Sequence, residues 1–256
     1  MINRKNDHTA TVAALAACVL LIALCYTAII LNTDLDAVKS AWAFVFTGSL
    51  AVFFVQSFYC FELAGKIIAD EVSSGRVKLW LSLPVSREKL FSIMILQVMK
   101  RTAVLSFVMY GFLMLGANTL FEASSRNPAV GLLGVVQVTL MVFLVIVFIS
   151  LFKKNSTLQG GSISVLLLMH IVQVVAYFRT VDVYPEQYIV FLEKVLTFLL
   201  PLNAGYKNIV YGMAPCCGSI SVYASPSPWQ LNGYSVLWML FIIAAIAWKT
   251  RKFQSS

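Results

Sequence analysis

The sequence alternates between long uncharged apolar runs and short charged ones. Thr9 to Thr33 carries no charge, nor do Ser40 to Phe61, Thr102 to Phe121, Ala129 to Phe152, Asn155 to Phe178 or Pro226 to Trp248. In the fifth run the apolar part starts near Ser162, and in the last it is Tyr234 to Trp248. A helix rises about 1.5 Å per residue, so about 20 apolar residues cross roughly 30 Å of hydrocarbon. The pattern therefore predicts an all-α integral membrane protein with six transmembrane helices in one domain, 1–256. The spans fall near residues 10–33, 40–62, 102–121, 129–152, 159–178 and 230–248.

Two stretches test that count. Leu15-Ala16-Ala17-Cys18 resembles a lipoprotein cleavage box, but the apolar run continues through Val19 to Leu31. A secretory h-region stops after about 7–15 residues, so an uncleaved first span is expected. Tyr188 to Leu200, YIVFLEKVLTFLL, is followed by Pro201 and holds Glu193 and Lys194. It is short for a span and suits a re-entrant or interfacial helix.

Composition and charge then fix the class and the orientation. The chain is 60% hydrophobic and 12% charged, whereas soluble domains run roughly 45–50% apolar and about 25% charged. The net charge of +8 is read as the positive-inside bias of a membrane protein. With six spans and both termini cytoplasmic, 14 of the 19 Lys and Arg residues lie inside and five outside. A seventh span at Tyr188 to Leu200 would move the basic tail Lys249-Thr250-Arg251-Lys252 outside and weaken that bias. The expected location is the plasma (cytoplasmic, inner) membrane. No basic stripe with interleaved aromatics appears, so nucleic acid is not an expected partner.

One polar island interrupts the apolar pattern. Residues 70–90 read DEVSSGRVKLWLSLPVSREKL. Glu62, Lys66 and Asp70 stand four apart, so they share a helical face and can pair. Ser73-Ser74-Gly75 is a break signal. A short helix from Arg76 to Leu83 would gather Val77, Trp80 and Leu81 on one face. Pro84 would end it, because the residue before proline avoids helical angles. Ser86 suits an N-cap and Glu88 the first turn of the next helix. That helix could run from Arg87 to Phe121, 35 residues or roughly 52 Å, so its part before Lys100-Arg101 should project into the cytoplasm. On these patterns alone the island is either an interfacial helix with Trp80 as a belt residue or a rigid knob that docks into a soluble partner.

Glu71, Gly75 four residues on, the leucine-rich turn and Leu83-Pro84-Val85-Ser86-Arg87 resemble the permease subunits of type-2 ABC transporters. Those often carry a run like E-x-x-x-G-T…L-L-x-x-P-V-S-R between their second and third spans. The likeness covers about 25 residues and agrees with the six-span plan; it departs at Arg76, where the family commonly has Thr. The resemblance implies that region 66–90 holds a cytoplasmic coupling helix seated in a cleft of an ATPase subunit. Glu71, Gly75, Arg76, Val77, Trp80, Leu81, Pro84 and Arg87 would be its coupling residues. It further implies re-entrant outer helices at 187–213, between spans 5 and 6. The working unit would be two permeases, identical or not, with two copies of the ATP-binding subunit, amid membrane lipids.

The chemistry-bearing residues narrow the function further. No G-x-x-x-x-G-K-[ST] occurs; Lys66, the only lysine directly after a glycine, lacks the rest of the motif. The chain is thus expected to bind no cofactor itself and to be no enzyme, with ATP and Mg held on the partner ATPase. His170 is centred in the fifth span with Gln173 nearby. An intramembrane histidine is a translocation-path candidate, although a packed, hydrogen-bonded role explains it as well. Asp70-Glu71 has no histidines at helical spacing to hold a metal with it. Cys18, Cys25 and Cys60 lie in apolar runs, where cysteine behaves as a small hydrophobe, while Cys216 and Cys217 sit in a polar loop. Gly131 with Gly134, and Gly160-Gly161 with Ser164, permit close helix approach, either at a dimer face or within the subunit. Asn155-Ser156-Thr157 is a sequon by pattern, placed on the cytoplasmic side.

The expected function is export of a hydrophobic, lipidic or peptidic cargo, because hardly any charge lies mid-span. The competing readings are a membrane-bound immunity or scaffold protein, and a force-transmitting permease-like subunit that moves no cargo itself.

Overall fold

The computed structural model describes residues 4–31, 37–75, 86–120, 127–151 and 228–252, with residues 202, 204, 205, 208, 209 and 212 between them. The described chain is all-helical. Helix α1 is Arg4–Ile30 and α2 is Ala37–Ala64. A π turn, Gly65–Ala69, carries α2 without a break into the short α3, Asp70–Ser73. Then come α4, Arg87–Leu120, α5, Pro128–Ser150, and α6, Pro228–Lys252.

Five of these segments are long and apolar enough to cross a membrane: Thr11–Ile30, Ala43–Val72, Lys89–Leu120, Pro128–Ser150 and Asn232–Arg251. This suits a multi-pass membrane protein. They coincide with five of the six spans read from the sequence; the run 159–178 lies outside the described residues. Helix α1 begins at Arg4, before the apolar run. Helix α4 is described to Leu120; its expected end, Phe121, lies outside the described residues.

Burial sorts the bundle into centre and periphery. In the apolar windows of α2 and α5, 61% of residues are buried, against 11% in α1 and 17% in α6. Helix α2 touches α1, α4 and α5, while α6 packs on α5. The outer faces carry Leu20, Leu115, Leu237 and Phe241, the apolar surface expected where lipid is the solvent. Helices α1 and α2 run antiparallel in constant register. The Thr11 and Tyr59 hydroxyls lie 3.1 Å apart, and the Tyr26 and Phe44 rings meet edge to face at 6.3 Å. In both pairs the residue numbers add to 70.

Several hydroxyls within the spans are satisfied by their own helix, while other buried polar side chains are not. The hydroxyls of Thr47, Ser106 and Ser150 donate to the carbonyls of Ala43, Thr102 and Ile146 at 2.7–2.8 Å. This removes the cost of an unpaired group where no water competes. Gln56 is the contrast: it is fully buried in α2, and neither amide atom has a hydrogen-bond partner among the described residues.

Candidate functional site

Among the described residues two places concentrate polar chemistry: the end of the α2–α3 helix, and a contact of α5 with α6 and with residues 204, 205, 208, 209 and 212.

At the first, the expected ion pair forms. Lys66 Nζ donates to Glu62 Oε1 at 2.6 Å, with both side chains about half exposed. The π turn was not legible in the sequence. The Asp70 N–H reaches back five residues to the Gly65 carbonyl. One residue is about 100° of α-helix, so the extra residue re-aims Glu71 and Val72 by roughly a quarter turn. The turn touches both α4 and α5, and it buries three consecutive residues, Ile67, Ile68 and Ala69. An uninterrupted α-helix would spread those three over about 200° of its circumference. The wider turn is the packing answer to a helix wedged between two neighbours.

The helix then ends where the sequence placed the break. Gly75 has φ of +72°, a left-handed conformation open to glycine without penalty. The Ser74 hydroxyl donates to the Glu71 carbonyl at 3.4 Å. The chain is described again from Ser86, whose Oγ accepts the Lys89 N–H at 3.4 Å and caps α4 as expected. Of the predicted coupling residues, Glu71 is half-buried on α3, Gly75 is the stop, and Arg87 is the first residue of α4. Arg76, Val77, Trp80, Leu81 and Pro84 lie outside the described residues, as do His170 and Gln173.

The second place was missed by sequence reasoning. Asn127 caps α5, accepting from the Val130 N–H at 3.4 Å, with Pro128 in the first turn. Over the next turns the glycines of α5 lie directly against the backbone at Gly205, Ile209 and Gly212. A Cβ on Gly134 would stand 2.5 Å from the Gly205 carbonyl oxygen and 2.6 Å from the Ile209 nitrogen. A Cβ on Gly212 would collide with the backbone of Gly131. The Asn127 N–H donates to the Gly212 carbonyl at 3.2 Å and closes the contact. Gly131 and Gly134 therefore serve packing inside this subunit, which settles the alternative the sequence left open for them.

That close approach brings three amides together. Gln137 Nε2 on α5 donates to Asn232 Oδ1 on α6 at 2.8 Å. Asn208 Nδ2 donates to Gln137 Oε1 at 2.8 Å and to Asn232 Oδ1 at 3.0 Å. The triad ties α5 and α6 to Asn208. None of its members ionises at physiological pH, so it can hold helices in register and bind polar atoms, but it cannot relay charge. A usable signal existed: Gln137 is the single amide in the 23 residues of α5.

No protein-family model matches the chain, and no curated protein or solved structure is significantly similar to it.

Proposed function

We propose that this chain is the membrane-spanning permease subunit of a type-2 ABC transporter, working with two copies of a separate ATPase and a second permease. The observation that supports it is the frame around residues 76–85. One long helix stops at Gly75 and another starts at a Ser86 cap. The run that resembles the coupling segment of that family therefore begins and ends on helices long enough to leave the bilayer. Helix α4 has 34 residues, about 51 Å, which exceeds the hydrocarbon by roughly 20 Å. In this reading both termini are cytoplasmic and the island projects to the same side.

The packing offers a route for force. Closure of the ATPases on ATP would press on residues 76–85 and tilt the helices on either side. Those helices bear on α5 through the π turn and α4. Helix α5 is joined to Gly205, Asn208, Ile209 and Gly212 and to α6 by the glycine contact and the amide triad. A tilt at one end would thus reach the other end as a rigid-body shift, the form alternating access takes. The cargo in this reading is hydrophobic, lipidic or peptidic, and it is exported.

Reconstitution with the ATPase in proteoliposomes tests the proposal. ATP-dependent cargo movement should fall at least tenfold in Glu71→Ala and Arg87→Ala while the ATPase still binds nucleotide. Unchanged flux in both variants, with folded protein, would sink it.

A further inference from the structure

Beyond that function, and independent of it, an open-sided groove between α1 and α2 has the dimensions and the chemistry of a phospholipid site. Its volume is about 670 Å³. One wall is a ridge of α1 residues four apart, with Ala13, Ala17 and Leu21 in line. The other is a ridge at the same spacing, Phe54, Phe58 and Glu62 of α2 with Lys66 of the π turn. The twelve steps from Phe54 to Lys66 cover about 18 Å, close to one leaflet of a bilayer whose hydrocarbon is roughly 30 Å thick. Both walls belong to candidate membrane spans, so the groove opens to lipid.

Spreading 670 Å³ over that length leaves a cross-section of about 37 Å², room for an extended hydrocarbon chain. The lining is apolar along its length and changes character at one end, where Glu62 and Lys66 form their ion pair. Among the described residues, Lys66 spends one of its three N–H donors on Glu62 Oε1, and the second carboxylate oxygen has no hydrogen-bond partner. A phosphate that accepts from Lys66, joined to an ammonium that donates to Glu62, complements both without breaking the pair.

We propose that this groove holds a phospholipid with a primary-amine headgroup, one acyl chain lying along the Ala13–Ala17 ridge and its phosphate and ammonium on Lys66 and Glu62. A headgroup with phosphate alone would meet the Glu62 charge unpaired. A quaternary ammonium has no N–H to donate.

The test uses the full chain, delipidated in detergent, with phosphatidylethanolamine, phosphatidylglycerol and phosphatidylcholine of identical acyl chains. Retention is read by native mass spectrometry and by thermal shift. Wild type should hold phosphatidylethanolamine on the order of five-fold better than the other two, the worth of one exposed charge pair. Lys66→Ala should weaken retention of all three, and Glu62→Gln should erase the preference while keeping binding. Ala17→Leu fills the groove from an exposed position and should abolish retention without lowering stability. No preference in wild type, or a preference that survives both Ala17→Leu and Lys66→Ala, would overturn the proposal. So would dimerisation of the chain that masks the groove.

Discussion

Gly134→Ala is a one-carbon probe of the contact that joins α5 to residues 204–212. The added Cβ would stand 2.5 Å from the Gly205 carbonyl oxygen and 2.6 Å from the Ile209 nitrogen. Both are backbone atoms and neither can rotate away. Restoring an ordinary contact of about 3.5 Å requires the two segments to part by roughly 1 Å. Overpacking of this kind costs about 1–3 kcal/mol. The same movement stretches the 2.8 Å bond from Asn208 to Gln137, and a bond of this kind between membrane helices is worth about 0.6 kcal/mol and at most about 1.7. Alanine returns up to about 1 kcal/mol of helix propensity. The net loss is about 1–3 kcal/mol, or a fall in Tm of roughly 2–12 °C at about 2–4 °C per kcal/mol. Gly233→Ala on α6 is the control, because a Cβ there meets nothing within 4 Å. It should hold Tm or raise it by up to about 4 °C through propensity alone. Thermal unfolding of both variants in one detergent reads the difference. A Gly134→Ala protein as stable as Gly233→Ala would refute the close contact and the coupling built on it.

The amide triad should show non-additivity: Gln137→Leu and Asn208→Leu in a double-mutant cycle should couple by about 0.6–1.7 kcal/mol, read from unfolding equilibria. Gln56→Met removes two buried unpaired polar atoms at nearly constant volume and should stabilise by about 1–3 kcal/mol. A destabilised Gln56→Met would mean that the amide has a partner in the membrane. Gly75→Ala forces a Cβ into the left-handed region at φ +72° and should cost about 1–2 kcal/mol. Gly75→Asn should cost less, and the two melting curves give the ranking.

What could be read from the sequence was what depends on local chemistry. The apolar runs give the five described spans because a helix in lipid satisfies its own backbone and needs only length and hydropathy. Gly75 and Ser86 were legible because a left-handed stop and a hydroxyl cap are each a matter of one residue. The Glu62–Lys66 pair followed from a spacing of four. The π turn was not legible, because it answers the fit of Ile67, Ile68 and Ala69 between two other helices rather than any preference of its own residues. Nor was the amide triad, whose members stand 24, 71 and 95 residues apart in the chain. Glycines show the limit most clearly. Gly134 and Gly233 look alike in sequence, yet one lies against backbone and the other faces open space.

The central claim is that this chain is driven by a separate ATPase seated on residues 76–85, and the most direct measurement is what purifies with it. The tagged full chain, extracted in mild detergent from its native host, should bring down a P-loop ATPase in equal amount. Charge reversal by Glu71→Lys or Arg87→Glu should release that ATPase while the membrane chain stays folded. A chain that purifies without any nucleotide-hydrolysing partner, or one whose partner is indifferent to both reversals, would contradict the account.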